Sequence, residues 1–410
     1  MLDLSKNQTT PELISRSRPL SRKKTWQLRV FLSTWILPLS IACFWMLVVL
    51  IIHRNSPRTL LSFHGLLHAA IAGKFLTPGS GFSLPENPLF AGEPVAYYWF
   101  FHYLAAQITK TFGLNIFHSF ELLVVLATGV LMVIAVRFGA RLSDSKISGV
   151  LIGYLIMAGT NPLGWLFAVR DLIRNGRSVL QDNPDHLWGV VHPIYSLIRY
   201  NDFGGLYGPL VNFFLNITSR PLALAALLGL VYFLFLLLKQ RRGSFIIGLV
   251  AASAATTAFS PVIGITAGGA LAVALLTVYW KNRDERFDGR IASARCAIYA
   301  GLSISLGIVI ALPTYYHLLL NSGGGNAKFI LFSGAGVRQS LSIGMSVAVL
   351  LGLAVLGLYR TRNENRQFLT VMVLAALLLL VVNAAFLLMA GNESNLFHAA
   401  VVLLAVPASA

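Results

Sequence analysis

Apolar runs of about 20 residues recur along the whole chain, and they restrict its fold more than any other feature. A helix of that length crosses the roughly 30 Å hydrocarbon layer of a membrane. The runs must be helical, because backbone groups in lipid need hydrogen-bond partners within the chain. The alternating pattern of a transmembrane barrel is absent. The sequence therefore predicts an all-α polytopic membrane protein.

Composition agrees with this prediction. Hydrophobic residues make up 56% of the chain and charged residues only 11%, whereas soluble domains carry roughly 25% charged residues. The net charge is +17, but the basic residues fall between the apolar runs and act as topology signals. We therefore expect no nucleic-acid partner.

Cys43 and Cys296 form no CxxC pair, so neither a disulfide framework nor a thiolate metal site is indicated.

The apolar runs and the charges between them predict about ten transmembrane helices. Lys and Arg collect on the cytoplasmic side of a membrane, which predicts a cytoplasmic basic tail at residues 1–31 and a transmembrane domain at 32–410. The outer loops of this domain are expected at 54–114, 169–219 and 318–338. The spans are predicted near 32–53, 115–136, 147–168, 220–238, 244–259, 261–280, 295–317, 339–359, 367–389 and 396–410.

The segment 94–112 is apolar enough to be taken for a further span, and charge argues against that. If it crossed, the basic residues after the next span, Arg137, Arg141 and Lys146, would lie outside. Its aromatic run at 97–103 suits a helix at the membrane interface, where amphipathic rings are stable. We predict interfacial helices in the first large outer loop.

Candidates for chemistry lie in the outer loops. A carboxylate or imidazole can accept a proton from a hydroxyl, while Arg binds phosphate oxygens. His64 and His68, four residues apart, share a helix face; they leave a divalent metal open as an alternative, and no cofactor is certain. The candidate catalytic residues are His64, Glu86, Glu93, Asp182 and Asp185. The candidate substrate-binding residues are His68, Tyr97, Tyr98, Trp99, His102, Arg170, Arg174, His192, Arg220, Arg338 and Glu393.

Four short motifs carry a resemblance to a known superfamily. They are His64 to Ala70 (HGLLHAA), Pro85 to Tyr98, the turn Phe112 to Asn115 (FGLN) and the late polar turn Gly391 to Phe397. Together with the topology, they resemble the GT-C superfamily of membrane glycosyltransferases. The resemblance implies transfer of a sugar from a polyprenyl-phosphate donor at the outer face. His64 stands where the family commonly has a catalytic Asp, so the base stays open among the candidates, and an inactive chain is also open.

We therefore expect an inverting glycosyltransferase whose partners are a polyprenyl-phosphate sugar and membrane lipid. The alternatives are a transporter or flippase of a lipid-linked intermediate, or a non-catalytic membrane scaffold of the same fold. The expected location is the plasma (inner) membrane, with the N-terminus in the cytoplasm. Few ionisable residues fall within the spans; Glu121 is the main one, and this scarcity argues against an ion-coupled transporter.

Overall fold

The computed structural model is mostly helical and has thirteen helices among the residues that it describes. These residues are 20–55, 63–90, 92–95, 97–162, 173–174, 210, 214, 217–281, 294–320, 327–361, 363–388 and 393–410. The helices are α1 Leu20–Asn55, α2 Phe63–Lys74, α3 Phe100–Phe112, α4 Ile116–Leu142, α5 Lys146–Ala158, α6 Arg220–Gln240, α7 Ser244–Phe259, α8 Pro261–Lys281, α9 Ala294–Ile310, α10 Tyr316–Leu320, α11 Gly334–Arg360, α12 Asn363–Ala385 and α13 Glu393–Ala408. Two short strands, β1 Lys328–Phe329 and β2 Phe386–Leu387, form an antiparallel pair.

The chain divides into two compact units, Met1–Leu37 and Pro38–Ala410. In the first unit, the described residues 20–37 form the first half of α1. The second unit begins at Pro38, within α1. It contains the rest of α1 and all of the described helices that follow it. The fold and the candidate site described below belong to the second unit.

Among the described residues, six helices are long and apolar enough to cross a membrane: Thr34–Ile51, Ile116–Leu142, Arg220–Gln240, Pro261–Tyr279, Gly334–Arg360 and Asn365–Ala385. Four shorter apolar helices accompany them, at Lys146–Ala158, Ser244–Phe259, Arg295–Ile310 and Ser394–Ala408. The protein is thus a membrane protein with several apolar helices. Six of the ten predicted spans meet the length that a crossing needs, and the total of ten stays a prediction.

Helix α4 runs antiparallel to both α1 and α12. The end of α1 meets the start of α4, where Arg54 contacts Glu121. Further along the two helices, Met46 of α1 packs over Gly129 of α4. The start of α12 meets the end of α4, because the Asn365 side chain donates to the carbonyl of Leu142. We call the end of the bundle where α4 and α6 begin the loop end. The other end, where α4 and α6 finish, is the opposite end.

The core of the bundle is formed by apolar side chains that cover α6 and α13 on nearly all sides. Every residue from Ser394 to Pro407 in α13 is buried. Toward the opposite end, the rings of Phe138, Phe235 and Phe368 pack together from α4, α6 and α12. A helix that is apolar all round is expected in the interior of a bundle, and α13 occupies such a position.

Helices α2 and α3 lie at the loop end, between the end of α1 and the start of α4. The 13 residues of α3 extend about 20 Å at 1.5 Å per residue, which is too short to cross the hydrocarbon layer. Gly113 ends the helix in a left-handed conformation, and Asn115 caps α4 by accepting a hydrogen bond from the Phe117 amide. A short helix that ends just before α4 begins is what we expect if the segment 94–112 lies at the interface.

The predicted outer loop 318–338 is shorter than expected. Helix α11 begins at Gly334, because the Ser333 side chain caps it by accepting from the Gly336 amide. Arg338 is therefore an exposed helical residue rather than a loop residue. The β1–β2 pair joins this region to the residues that follow α12. The helix of the predicted span 367–389 therefore ends at Ala385, and β2 follows it.

Candidate functional site

The centre of the candidate site is a pair of buried histidines. His68 of α2 and His102 of α3 approach with their Nδ1 and Nε2 atoms 2.7 Å apart, and both side chains are almost fully buried. Small and aromatic residues between α2, α3 and α4 allow this approach: Ala72, Ala105, Phe101 and Phe120 form one packed cluster. The two rings share one hydrogen bond, in which one nitrogen donates and the other accepts.

The environment of the pair keeps His102 uncharged. Burial, and secondly the neighbouring His68, lower the pKa of His102 well below its usual range. The carbonyl groups of Trp99 and Tyr98 oppose this shift but do not overcome it. A neutral imidazole retains a lone pair and can accept a proton. The ring of His102 is therefore neutral at pH 7, and the same lowered pKa makes it a weak base.

Two tyrosines lie against the histidine pair. Tyr97 and Tyr98 stack with ring centroids 4.3 Å apart, and the Tyr97 hydroxyl donates to that of Tyr98 at 3.3 Å. The centroid of the Tyr97 ring is 5.8 Å from that of His68 and 5.7 Å from that of His102. Burial, then Tyr98, raise the pKa of Tyr97 well above its usual range, while the positive charge of Arg220 acts in the opposite direction. The charge of Arg220, at the start of α6, is thus close enough to act on the Tyr97 hydroxyl.

His317, which the sequence analysis did not single out, also reaches this site. It lies in α10, and its Nε2 atom donates to the carbonyl of Tyr97 at 2.9 Å. Its side chain is buried, and this burial lowers its pKa, whereas the carbonyls of Tyr97 and Val95 oppose the shift. His317 thus fixes the backbone that presents the tyrosine pair. Its position at the loop end of an apolar run was the one sequence signal that could have identified it.

The start of α6 is the second part of the site. Ser219 is the N-cap residue, but its side chain makes no capping hydrogen bond, and Pro221 lies in the first turn. The hydroxyls of Thr218 and Ser219 are buried and have no hydrogen-bond partner in the described part of the chain. A helix start has unpaired amide groups and a partial positive charge. Together with Arg220, these groups can bind an anion such as phosphate.

The predicted base Glu86 is already engaged. Its carboxylate accepts from the Lys74 ammonium at 2.8 Å and from the Gly92 amide at 2.6 Å. These two hydrogen bonds, the first being the larger cause, lower the pKa of Glu86. Glu93 lies opposite Asn87 in the same turn and is exposed. The catalytic roles of both carboxylates stay predictions.

The remaining predicted residues are dispersed or lie outside the described part. His64 is the second residue of α2, and Glu393 is the first residue of α13. Trp99 is buried in an aromatic cluster with Phe75 and Phe82, and Tyr97 packs against this cluster. Arg174 and Arg338 are exposed. Asp182, Asp185, Arg170 and His192 lie outside the described residues. Within the described residues, no group of three or more His, Cys, Asp or Glu side chains could hold a metal ion.

A further ionic cluster joins α1 to α4 at the loop end. The buried carboxylate of Glu121 lies 3.4 Å from Arg54, 3.3 Å from His118 and 3.9 Å from His53. His53 is fully buried, whereas Arg54 and His118 reach the surface. The sequence marks Glu121 as an ionisable residue within a span, and the contacts explain how its charge is tolerated there.

Comparison with known proteins adds one match. Residues 64–188 are similar to a family described as an uncharacterized membrane protein (DUF2298). The match covers fewer than half of the 410 residues, and it includes the histidine pair, the tyrosines and helices α2 to α5. No curated protein matches. The match agrees with a membrane protein that has several apolar helices.

Proposed function

We propose that the protein is a membrane glycosyltransferase that moves a sugar from a polyprenyl-phosphate donor to an acceptor at the loop end. One observation carries the proposal: the positive charge of Arg220, at a start of α6 that has no side-chain cap, acts on the pKa of the Tyr97 hydroxyl beside the histidine pair. An anion site is thus next to aromatic rings and to a neutral proton acceptor. Transfer from a donor that contains a phosphate and a sugar requires a group that binds the phosphate, a surface that holds the sugar and a base for the acceptor hydroxyl.

The donor phosphate is assigned to the start of α6. Arg220, the positive end of the α6 dipole and the hydroxyls of Thr218 and Ser219 would bind its oxygens. In an inverting transfer, the acceptor hydroxyl attacks the anomeric carbon while the bond from that carbon to the phosphate oxygen breaks. The electron pair leaves with the phosphate, and the positive groups at α6 stabilise the resulting charge. The rings of Tyr97 and Tyr98 would wall the sugar.

The proton of the acceptor hydroxyl passes to a base. Of the described residues beside the tyrosine pair, the hydrogen-bonded pair His68 and His102 is the candidate base. Glu86 is a further candidate, and its hydrogen bonds to Lys74 and Gly92 lower its pKa, as burial lowers that of His102. His64, Glu93, Asp182 and Asp185 remain candidates from the sequence.

The proposed location follows from the charge pattern. The basic residues of the N-terminal tail, and those near 137–146 and 239–242, favour the cytoplasmic side. The loop end would then face outward from the plasma (inner) membrane, with the N-terminus in the cytoplasm. Membrane lipid and the polyprenyl-phosphate sugar are the proposed partners, because a polyprenyl chain stays in the bilayer.

The test is a transfer assay on the purified protein in lipid vesicles with radiolabelled polyprenyl-phosphate sugars. Arg220→Ala removes the positive charge that faces the leaving phosphate, so we expect the rate to fall by about 10²–10³-fold, as for loss of one oxyanion donor. Arg366→Ala, which changes an exposed residue at the opposite end, should keep the wild-type rate. Equal rates in wild type and Arg220→Ala would remove the phosphate role. Donor binding without turnover in the wild type would favour the flippase or scaffold alternative.

A further inference from the structure

The segment between α2 and α3 contains a hairpin, which we call the 85–95 hairpin and whose described residues are 85–90 and 92–95. Its two arms are joined by hydrogen bonds from the Val95 amide to the Pro85 carbonyl at 3.0 Å and from the Asn87 amide to the Glu93 carbonyl at 2.7 Å. At the tip, the Asn87 side chain accepts from the Leu89 amide at 2.9 Å. These contacts give the turn a single defined shape.

Glu86 fastens the 85–95 hairpin on both sides. One carboxylate oxygen accepts from the Gly92 amide of the facing arm, and the other contacts the Lys74 ammonium at the end of α2. Gly92 has a φ of +83°, a left-handed conformation that favours glycine. At the base of the hairpin, Val95 is buried beside Phe75 and Trp99. The hairpin is therefore anchored to the rest of the loop end.

The tip of this anchored turn exposes two large apolar side chains. Leu89 is 65% exposed and Phe90 is 63% exposed. Turns usually carry small or polar residues, and apolar surface left in water is unfavourable. A turn that polar contacts hold in place, with Leu and Phe at its tip, therefore indicates an apolar partner.

We propose that the tip of the 85–95 hairpin inserts into the lipid surface of the membrane in which the protein sits. Two side chains offer far less area than the roughly 800 Å² per partner of a stable protein interface. The bilayer, by contrast, is always next to a protein with membrane-spanning helices. Further exposed apolar residues in the same loop-end segment, Leu66 and Phe112, are accompanied by exposed basic residues, Lys110 and Arg54. Apolar residues with neighbouring basic residues are typical of segments at a lipid interface.

Spin labels test this proposal independently of any transfer activity. Cysteine is placed at Phe90, or at Thr77 as a matched control in an exposed polar turn of the same segment, after Cys43 and Cys296 are replaced by alanine. The labelled protein is reconstituted in phosphatidylcholine and phosphatidylglycerol vesicles. Oxygen concentrates in lipid and a nickel chelate in water, so their ability to relax each label reports its surroundings. We expect the oxygen-to-nickel ratio at residue 90 to be several-fold higher than at residue 77.

Two other outcomes overturn the proposal. Equal ratios at residues 90 and 77 would place the tip in water, and a label at residue 90 that neither reagent reaches would place it against protein. A second measurement uses Glu86→Gln, which loosens the anchor, with Glu93→Gln on the facing arm as its control. The label at residue 90 should become more mobile and gain contact with the nickel chelate in Glu86→Gln alone. No change in Glu86→Gln would show that the anchor does not hold the tip in lipid.

Discussion

At the scale of single residues, the site depends on histidines whose partners are distant in the sequence. His68 and His102 are both candidates from the sequence, but spacing offered His64 as the neighbour of His68. The structure pairs His68 with His102 instead, because α2 packs on α3 through Ala72 and Ala105. Contacts of this kind depend on how helices pack, which residue patterns do not encode. His317 was missed for the same reason.

The histidine pair should make stability depend on pH. In the unfolded chain, His102 titrates near about 6.5, whereas burial lowers its pKa in the folded protein. Below about pH 6.5 the unfolded state therefore binds more protons, and stability falls as pH falls. The unfolding temperature in detergent should drop between pH 8 and pH 5.

A variant isolates the contribution of His102. In His102→Gln, which retains hydrogen-bonding groups but does not titrate, the same pH change should lower the unfolding temperature less than in wild type. His317 remains in both proteins, so its own response cancels in the comparison. Identical pH profiles for the two proteins would mean that His102 is not the group that senses acid.

At the scale of helices, small residues decide which faces pack. On α11, a side chain at Gly357 would overlap the Pro407 carbonyl of α13, while Gly344 and Gly352 have open space around them. The sequence predicts the apolar run of α11 but not which glycine faces a neighbour. It does contain the cap Ser333, which gives the true start of the helix and could have corrected the expected start at 339.

Two alanine substitutions on α11 should therefore differ in effect. Gly357→Ala forces α11 and α13 apart at their ends, and we expect a loss of about 1–3 kcal/mol in unfolding free energy, as for overpacking a core. Gly352→Ala meets no neighbour and gains helix propensity, so its stability should be unchanged or higher by up to about 1 kcal/mol. Unfolding by denaturant in mild detergent compares the two, and equal stabilities would contradict the close α11–α13 contact.

At the scale of the whole protein, the alternation of charged and apolar runs is the main sequence evidence for which segments cross the membrane. It predicts that the segment 94–112 does not cross, and the short α3 and the antiparallel contact of α1 with α4 agree with that course. It does not predict which helix lies inside. The six long apolar helices and the four shorter ones share similar compositions, so their lateral order is decided by fine packing such as that of Phe138 against Phe235.

Chemical labelling of intact cells tests the proposed orientation. With Cys43 and Cys296 replaced by alanine, a cysteine at exposed Thr77 lies at the loop end, and one at exposed Ser244 lies at the opposite end. A maleimide reagent that cannot cross membranes should label residue 77 in intact cells, and residue 244 only after permeabilisation. The reverse pattern would invert the topology, and labelling of both in intact cells would contradict the alternating course.

The buried position of α13 has a consequence for biosynthesis. This helix follows all of its neighbours in chain order, including α5, α6, α8, α11 and α12, yet they surround it. Those helices are synthesised first and must leave a lengthwise slot open until α13 enters it. A nascent chain halted before residue 393 would present this apolar slot to lipid or to a membrane chaperone. Among the described helices, the centre is therefore filled after the helices around it have been made.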